Sequence, residues 1–280
     1  QQIREFPSYL PNTVREVAPR VHPGDDPERR PQELLDFVPT NRRQGYDARA
    51  LIRHVVDNGD FFEMRELYAS GLITGFARLD GWSVGVIGSD PMSKAGAMDG
   101  NAADKYTHFL DLCDTFNLPL LIFLDMPGFM LGSHAERIAT MRRGARALIA
   151  SAECQVPKIE FMVRKSYGVA ADAPNSIGLP NSINLRFGWP SGEWGGIPIE
   201  GGVAAAYRRE IAEADDPDAH RAEIEDRLLR LRSPFRAAHR GDVVDLIDPR
   251  ETRALACRFI NLAQPKLAEL AQRSKRAVRP

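Results

Sequence analysis

The chain has 280 residues, enough for one large domain or two small ones. Hydrophobic residues make up 43% and charged residues 27%, the balance of an ordinary globular protein with a sizeable core. Lys and Arg total 37 and Asp and Glu total 38, a formal net charge of −1, which argues against a chain built chiefly to hold nucleic acid.

Residues 1–46 read as a proline-rich arm or inter-domain linker. Pro7, Pro11, Pro19, Pro23, Pro27, Pro31 and Pro39 remove backbone donors and disfavour long regular elements. Residues 47–280 form the expected folded domain. Asp47 is placed to cap a helix running to Val56, followed by the turn Asp57-Asn58-Gly59-Asp60. Strands are expected over 61–67, 72–79 and 82–88, with Asp80-Gly81 as a hairpin turn between the last two. Tyr106, Phe109, Leu110, Cys113 and Phe116 fall at helical spacing within 101–116. The continuous apolar run 118–124 suits a strand buried on both faces. The alternation repeats, with a helix over 135–153 and a buried strand over 158–163. Residues 168–202 are rich in Gly and Pro, with a short strand over 183–187. Helices follow near 200–214, 217–231 and 251–262. This order predicts an α/β fold whose strand-end loops carry the site.

Three stretches could carry chemistry. Asp125-Met126-Pro127-Gly128-Phe129-Met130-Leu131-Gly132 follows a buried strand, and its glycines permit close approach of backbone to a ligand. A tight turn without a ligand accounts for it equally. Arg164-Lys165-Ser166-Tyr167-Gly168-Val169-Ala170-Ala171 also follows a strand, where free amide N–H groups would stabilise an oxyanion. Close strand–helix packing is the plainer alternative. Trp189 to Gly196, leading to Glu200-Gly201-Gly202, suits a ligand loop opening a helix or a surface loop anchored by aromatics.

Other chemistries lack their residues. Cys113, Cys154 and Cys257 lie far apart with no CxxC or Cys/His cluster, so neither a metal site nor a disulfide scaffold is expected. A reducing compartment, the cytoplasm or the mitochondrial matrix, suits them. No GxxxxGK[ST], HExxH or GxSxG motif occurs. The run 118–124 is far below the ~20 residues of a membrane helix, and no signal-type stretch opens the chain. Its first residue is Gln1 rather than Met, as in a fragment or a processed chain.

Taken in order, these stretches resemble the C-terminal domain of biotin-dependent acyl-CoA carboxylase β subunits, the carboxyltransferases of the propionyl-CoA and acetyl-CoA carboxylase type. Residues 51–63 resemble that domain's opening, and Thr74-Gly75-Phe76-Ala77-Arg78-Leu79 its next strand. Asp125 to Gly132 fits the family's D-x-P-G-F-x-x-G, and Arg142-Arg143-Gly144-Ala145 its R-x-G-A helix. Arg164 to Gly168 leads into its active-site turn, and 240–245 with 249–253 match its end. Ser8-Tyr9-Leu10-Pro11 resembles the inter-domain linker, so the likeness covers nearly the whole chain.

The resemblance implies a crotonase-like α/β superfold with an N-terminal extended arm. It implies carboxyl transfer from carboxybiotin to the α-carbon of a short acyl-CoA. Val169 and Ala170 would supply the backbone oxyanion hole, with Gly168 at its turn. Pro127, Gly128, Phe129, Tyr167 and Asp172 would bind acyl substrate or biotin, and no metal is implied. Biotin would arrive on a carrier protein, charged by a biotin carboxylase partner. An N-terminal carboxyltransferase-type domain, on another chain or cut away, would complete the site. The implied assembly is a homo- or hetero-oligomer, with a hexamer among its forms, without nucleic acid or membrane. The family's turn is Y-G-G-A-Y-D, whereas here Tyr167-Gly168-Val169-Ala170-Ala171-Asp172 puts Val169 for a glycine and Ala171 for an aromatic. A β-branched residue holds positive φ poorly, so Val169 puts the turn's geometry in question. A biotin-dependent decarboxylase subunit, a stand-alone crotonase using Glu193 or Glu200, and a degenerate scaffold subunit are the alternatives.

Overall fold

The computed structural model describes residues 2–173, 183–196, 199 and 202–273. Its centre is an eight-stranded mixed sheet with the order β1-β2-β3-β4-β5-β6-β8, in which β7 pairs with β5 off this path. The strands are β1 (Phe61–Glu63), β2 (Leu72–Leu79), β3 (Trp82–Ser89), β4 (Leu120–Met126), β5 (Lys158–Tyr167), β6 (Asn184–Gly188), β7 (Glu193–Gly195) and β8 (Asp245–Leu246). The first three pair antiparallel. From β3 onward every pairing is parallel, so the C-terminal ends of β4 and β5 open on one edge. Such an edge is where open α/β sheets bind ligands.

Alternate side chains of each central strand enter opposite cores. Leu120, Ile122 and Leu124 of β4 and Met162 of β5 pack on one face with Tyr106, Leu110 and Ala147. Leu121, Phe123, Ile159, Phe161 and Val163 pack on the other with Leu51, Ile52 and Ile260. The two-residue period of a strand requires this division.

Helices cover both faces: α1 (Gln2–Glu5), α2 (Ala48–Val55), α3 (Gly100–Thr115), α4 (Ser133–Arg137), α5 (Thr140–Glu153), α6 (Gly168–Asp172), α7 (Gly202–Ala206), α8 (Arg208–Ala212), α9 (Pro217–Leu231), α10 (Pro234–Arg240) and α11 (Thr252–Ala271). Asp47 caps α2, accepting from the N–H groups of Arg49 at 2.9 Å and Ala50 at 3.2 Å. The Asp80-Gly81 hairpin forms as expected, with φ of 49° and 79° at its central residues.

Several boundaries differ from the sequence expectations. Strand β1 stops at Glu63, because Arg65 turns to φ 55°. The carbonyls of Arg65, Tyr68 and Leu72 then converge on the buried Lys105 ammonium at 2.9, 2.9 and 2.7 Å. The helix expected over 135–153 is two helices, α4 and α5, broken at Ala139 with φ 56°. The segment expected as one helix over 200–214 contains α7 and α8, while Glu200 and Gly201 lie outside the described residues. Strand β5 extends beyond Val163 to Tyr167, since β7 takes over its pairing where β6 ends. Helix α11 runs past Leu262 and carries Pro265 inside it.

Residues 2–46 lie against this body. Phe6 and Tyr9 pack their rings on Phe62 and Phe76 at centroid distances of 5.8 to 6.3 Å. Fully buried Arg253 of α11 donates to the Asp26 carbonyl at 2.8 Å, the Val55 carbonyl at 2.7 Å and Asp57 at 2.8 Å. One guanidinium thus ties the arm, α2 and α11 together.

Candidate active site

The β5–α6 turn is the centre of the site. Gly168 takes φ +62° at the first position of α6, a left-handed conformation that costs a residue with Cβ roughly 1–2 kcal/mol. Val169 does not take positive φ, so the strain expected of a β-branched residue does not arise. The left-handed step falls one residue earlier than the substitution. Valine is therefore compatible with the turn, and its side chain points outward, 58% exposed. The amides of Gly168, Val169 and Ala170 lie in the first turn of α6, where no helical carbonyl precedes them. They are uncharged donors at the C-terminal edge of the sheet.

Tyr167, the last residue of β5, is held from several sides. Its buried hydroxyl donates a short hydrogen bond to Glu193 of β7. Arg42 of the arm donates to the same carboxylate oxygen at 2.7 Å and reaches the Tyr167 hydroxyl at 3.3 Å. The Arg232 guanidinium lies over the ring, 4.7 Å from its centroid. Burial first, then the Glu193 charge, pushes the phenol well above its ordinary pKa. Tyr167 is therefore a donor and not a base.

The loop after β4 abuts this turn. A Cβ placed on Gly128 would sit 3.5 Å from the Tyr167 carbonyl oxygen. The Gly128 carbonyl accepts from the Met98 N–H at 3.0 Å, and Phe129 forms a bridge with Met98. Phe129 in turn covers Gly144 of α5, whose added Cβ would lie 2.6 Å from the ring. Asp125 is buried and engaged, accepting from Arg164 Nε at 3.0 Å and the Lys165 N–H at 3.0 Å. Its carboxylate ties β4 to β5 and is not free for chemistry.

A cavity of about 740 Å³ opens at the turn. Gly168, Val169 and Asp172 line it together with Arg186, Trp194 and Arg232. Among the described residues its wall does not include Pro127, Gly128, Phe129, Tyr167 or Ala170. Asp172 projects outward and pairs with Arg186 Nη1 at 3.6 Å. Arg186 is buried and donates to Glu160 Oε2 at 2.6 Å. Burial works against that guanidinium's charge, but Glu160 and then Asp172 outweigh it and hold its pKa above the ordinary value.

Arg186, Arg42 and Arg232 were not singled out from sequence. Arg186 carried a signal, a charged residue inside a short strand-like stretch, where burial demands a partner. Arg42 and Arg232 sit in polar surroundings with no comparable mark. Among the described residues there is no cluster of His, Cys, Asp and Glu that could hold a metal ion. The described cysteines are free and buried, and no described helix is long and apolar enough to cross a membrane.

Parallel strands thus end in a glycine turn beside an open cavity. The chain matches the carboxyl transferase domain family over residues 1–278 and belongs to that family. It is 42% identical over 252 residues to the carboxyltransferase subunit of propionyl-CoA carboxylase from Haloferax mediterranei, covering 90% of this chain and 48% of that one. It is 37% identical over 252 residues to subunit alpha of methylmalonyl-CoA decarboxylase from Veillonella parvula, covering 90% and 48%. The crystal structure of the transcarboxylase 12S subunit, a hexamer with methylmalonyl-coenzyme A and methylmalonic acid bound, matches with a TM-score of 0.84 at 37% identity, covering 100% of this chain and 52% of that one. The chain spans about half the length of the curated relatives it matches. These matches bear out the resemblance to the C-terminal domain of acyl-CoA carboxylase β subunits and its crotonase-like fold.

Proposed function

We propose that this chain carries half of a biotin-dependent carboxyltransferase site, moving a carboxyl group between carboxybiotin and the α-carbon of a short acyl-CoA. The observation that carries this reading is the left-handed Gly168 turn, which starts α6 so that the amides of Val169 and Ala170 fall in its first turn, with Gly168 and Val169 lining the 740 Å³ cavity. An open cavity of that size beside uncharged donors fits a flat ureido ring with one acceptor oxygen. When bound, biotin supplies the ureido nitrogen that bears the carboxyl group. The two amides would donate to the oxygen on which negative charge develops, without any protein group titrating. Buried Arg186 holds Asp172 at the cavity wall. Asp125 and Arg164 hold β4 and β5 in register beneath the turn.

Glu193 counts against a stand-alone hydratase or isomerase, because its carboxylate is engaged by Tyr167 and Arg42 and is no free general base. The conformation of Val169 supports reading the turn as intact, since the substitution brings no positive-φ strain. The same groups serve carboxylation and decarboxylation, and relatives of both kinds match. The reading also takes in an N-terminal carboxyltransferase-type half, a biotin carrier, a biotin carboxylase and an oligomeric, hexamer-type assembly in a reducing compartment.

The test is carboxyl transfer between propionyl- or acetyl-CoA and a biotinylated carrier, in the assembly purified with all its chains and weighed under denaturing conditions. Proline tolerates the first helical turn but lacks an N–H. Val169→Pro should therefore lower kcat by about 10²–10³-fold, the cost of one oxyanion donor. Val169→Ala keeps the amide and should retain activity. Equal activity of the two variants, or none in the wild-type assembly with either acyl-CoA, would overturn the reading.

A further inference from the structure

The catalytic turn has a support outside the domain that carries it. Tyr167 precedes Gly168 directly, so whatever holds its ring and hydroxyl also holds the end of β5 where α6 begins. That hydroxyl is bonded to Glu193, the first residue of β7, and β7 pairs with β5 over Lys165, Ser166 and Tyr167 only. Three residues of pairing are a weak anchor for a strand end. Arg42 supplies a further one. Its Nη2 lies 2.7 Å from Glu193 Oε2 and 3.3 Å from Tyr167 Oη, so one arm residue spans both partners. The side chains of Arg42 and Glu193 are 22% and 19% exposed, which leaves the pair largely shielded from solvent.

On the opposite side Arg232 closes the clamp. Its guanidinium covers the Tyr167 ring, and its carbonyl accepts from the Trp194 N–H at 3.4 Å. Arg232 lines the 740 Å³ cavity and also a second cavity of about 400 Å³, whose walls include Arg42, Arg164 and Glu193. The Tyr167–Glu193 pair therefore stands as a partition between the substrate-side cavity and the arm.

We propose that Arg42 is a positioning residue for carboxyl transfer, acting through Glu193 and Tyr167 to hold the Val169–Ala170 amide pair in its donating orientation. This rests on the reading of that pair as the oxyanion site. The arm is then a working part of the site and not only a tether. Loss of the Arg42 charge frees Glu193 to turn toward solvent, and Tyr167 loses its acceptor. The turn loosens while the acyl-binding walls, which Arg42 does not form, remain. A residue that only stabilises the fold would instead lower activity through the amount of folded protein, with no selective effect on turnover.

The test compares Arg42→Ala, Arg42→Lys and Tyr167→Phe in the full assembly. For Arg42→Ala and Tyr167→Phe, kcat is expected to fall at least 10-fold while KM for the acyl-CoA stays within 2-fold. Arg42→Lys, which keeps a cation for Glu193, is expected to recover kcat to within 3-fold. Amide hydrogen exchange on the same proteins gives a second readout that needs no activity. Arg42→Ala should speed exchange of the strand amide of Tyr167 and the helical amides of Ala171 and Asp172 at least 10-fold, leaving α2 and β3 unchanged. An inactive wild type defeats the carboxyltransferase reading, and the exchange result then still decides the positioning role. Turn exchange within 2-fold of wild type in Arg42→Ala, or acceleration spread evenly over α2, β3 and the turn, overturns the proposal.

Discussion

Replacing Arg186 with methionine strands the Glu160 carboxylate inside the protein. Arg186 and Glu160 are each 4% exposed, and Arg186 Nε lies 2.6 Å from Glu160 Oε2. The second Glu160 oxygen, Oε1, has no hydrogen bond among the described residues. Arg186→Met thus removes the cation paired with that carboxylate among the described residues, and the expected loss is about 3–5 kcal/mol, the cost of breaking one side of a buried pair. Replacing both partners, Glu160→Leu with Arg186→Met, removes the stranded charge and should lie within about 1 kcal/mol of wild type. The cycle then yields a coupling of at least about 2 kcal/mol, the Arg186→Met loss less that of the double variant, plus whatever Glu160→Leu alone costs. Urea unfolding at pH 7 measures it, with unchanged slopes confirming that stability alone has moved. Single-variant losses that simply add, to within about 0.5 kcal/mol, would refute the argument that these charges are mutually dependent.

Other outcomes follow from the same geometry. A Cβ on Gly144 would lie 2.6 and 2.7 Å from ring atoms of Phe129, so Gly144→Ala should lose about 1–3 kcal/mol to overpacking, against about 1 kcal/mol gained in helix propensity. In a Phe129→Leu background the clash is relieved, and thermal unfolding should show Gly144→Ala to be stabilising. Gly168→Ala should destabilise by about 1–2 kcal/mol because of its left-handed φ, whereas Val169→Gly should bring no relief of strain; urea midpoints of the two variants separate these effects. Asp25 has its pKa lowered from 3.8 to about 2; burial alone would raise it, but hydrogen bonds from Arg29 and the Asn58 N–H, with the Arg253 charge, outweigh that. A depressed folded pKa contributes stability above the unfolded value that is lost as pH falls through the folded one. Wild type should therefore lose more stability than Asp25→Asn between pH 3.8 and about 2, in urea midpoints measured across that window.

Much of the scaffold is legible in the sequence because it depends on local patterns. The Asp47 cap, the Asp80-Gly81 hairpin, the bounds of α9 and the doubly buried β4 each follow from residues near one another in the chain. What escapes such reading depends on distant partners. Strand β1 ends where Lys105, some 40 positions away, gathers the carbonyls of the next turn. Strand β5 continues through Arg164-Lys165-Ser166-Tyr167 because β7 completes its pairing, and Lys165 is buried as a result. The site divides in the same way. The turn Gly168–Ala170 is marked by its small residues after a strand. The clamp on Tyr167 joins residues 42, 167, 193 and 232, which no spacing rule connects.

The ionisable groups around the turn bear on which chemistry it can support. Among the described residues lining the large cavity, no histidine appears, and the acids are Asp172 and Asp242. Asp242 is paired with Arg240 at 2.6 Å, and Asp172 is paired with Arg186 at 3.6 Å. The Tyr167 phenol is pushed upward, and Glu193 beside it is engaged. A hydratase needs a carboxylate free to activate water, poised near neutral pH and within reach of the substrate. This wall instead presents committed acids beside a turn of backbone amides whose donor capacity does not vary with pH. Such a surface suits a reaction in which the proton moves between the two bound reactants and the protein supplies orientation and charge stabilisation. Carboxyl transfer between a ureido nitrogen and an acyl α-carbon is a reaction of that kind. The first-turn amides, and not an acid–base pair, are therefore the feature of the site whose removal should matter most.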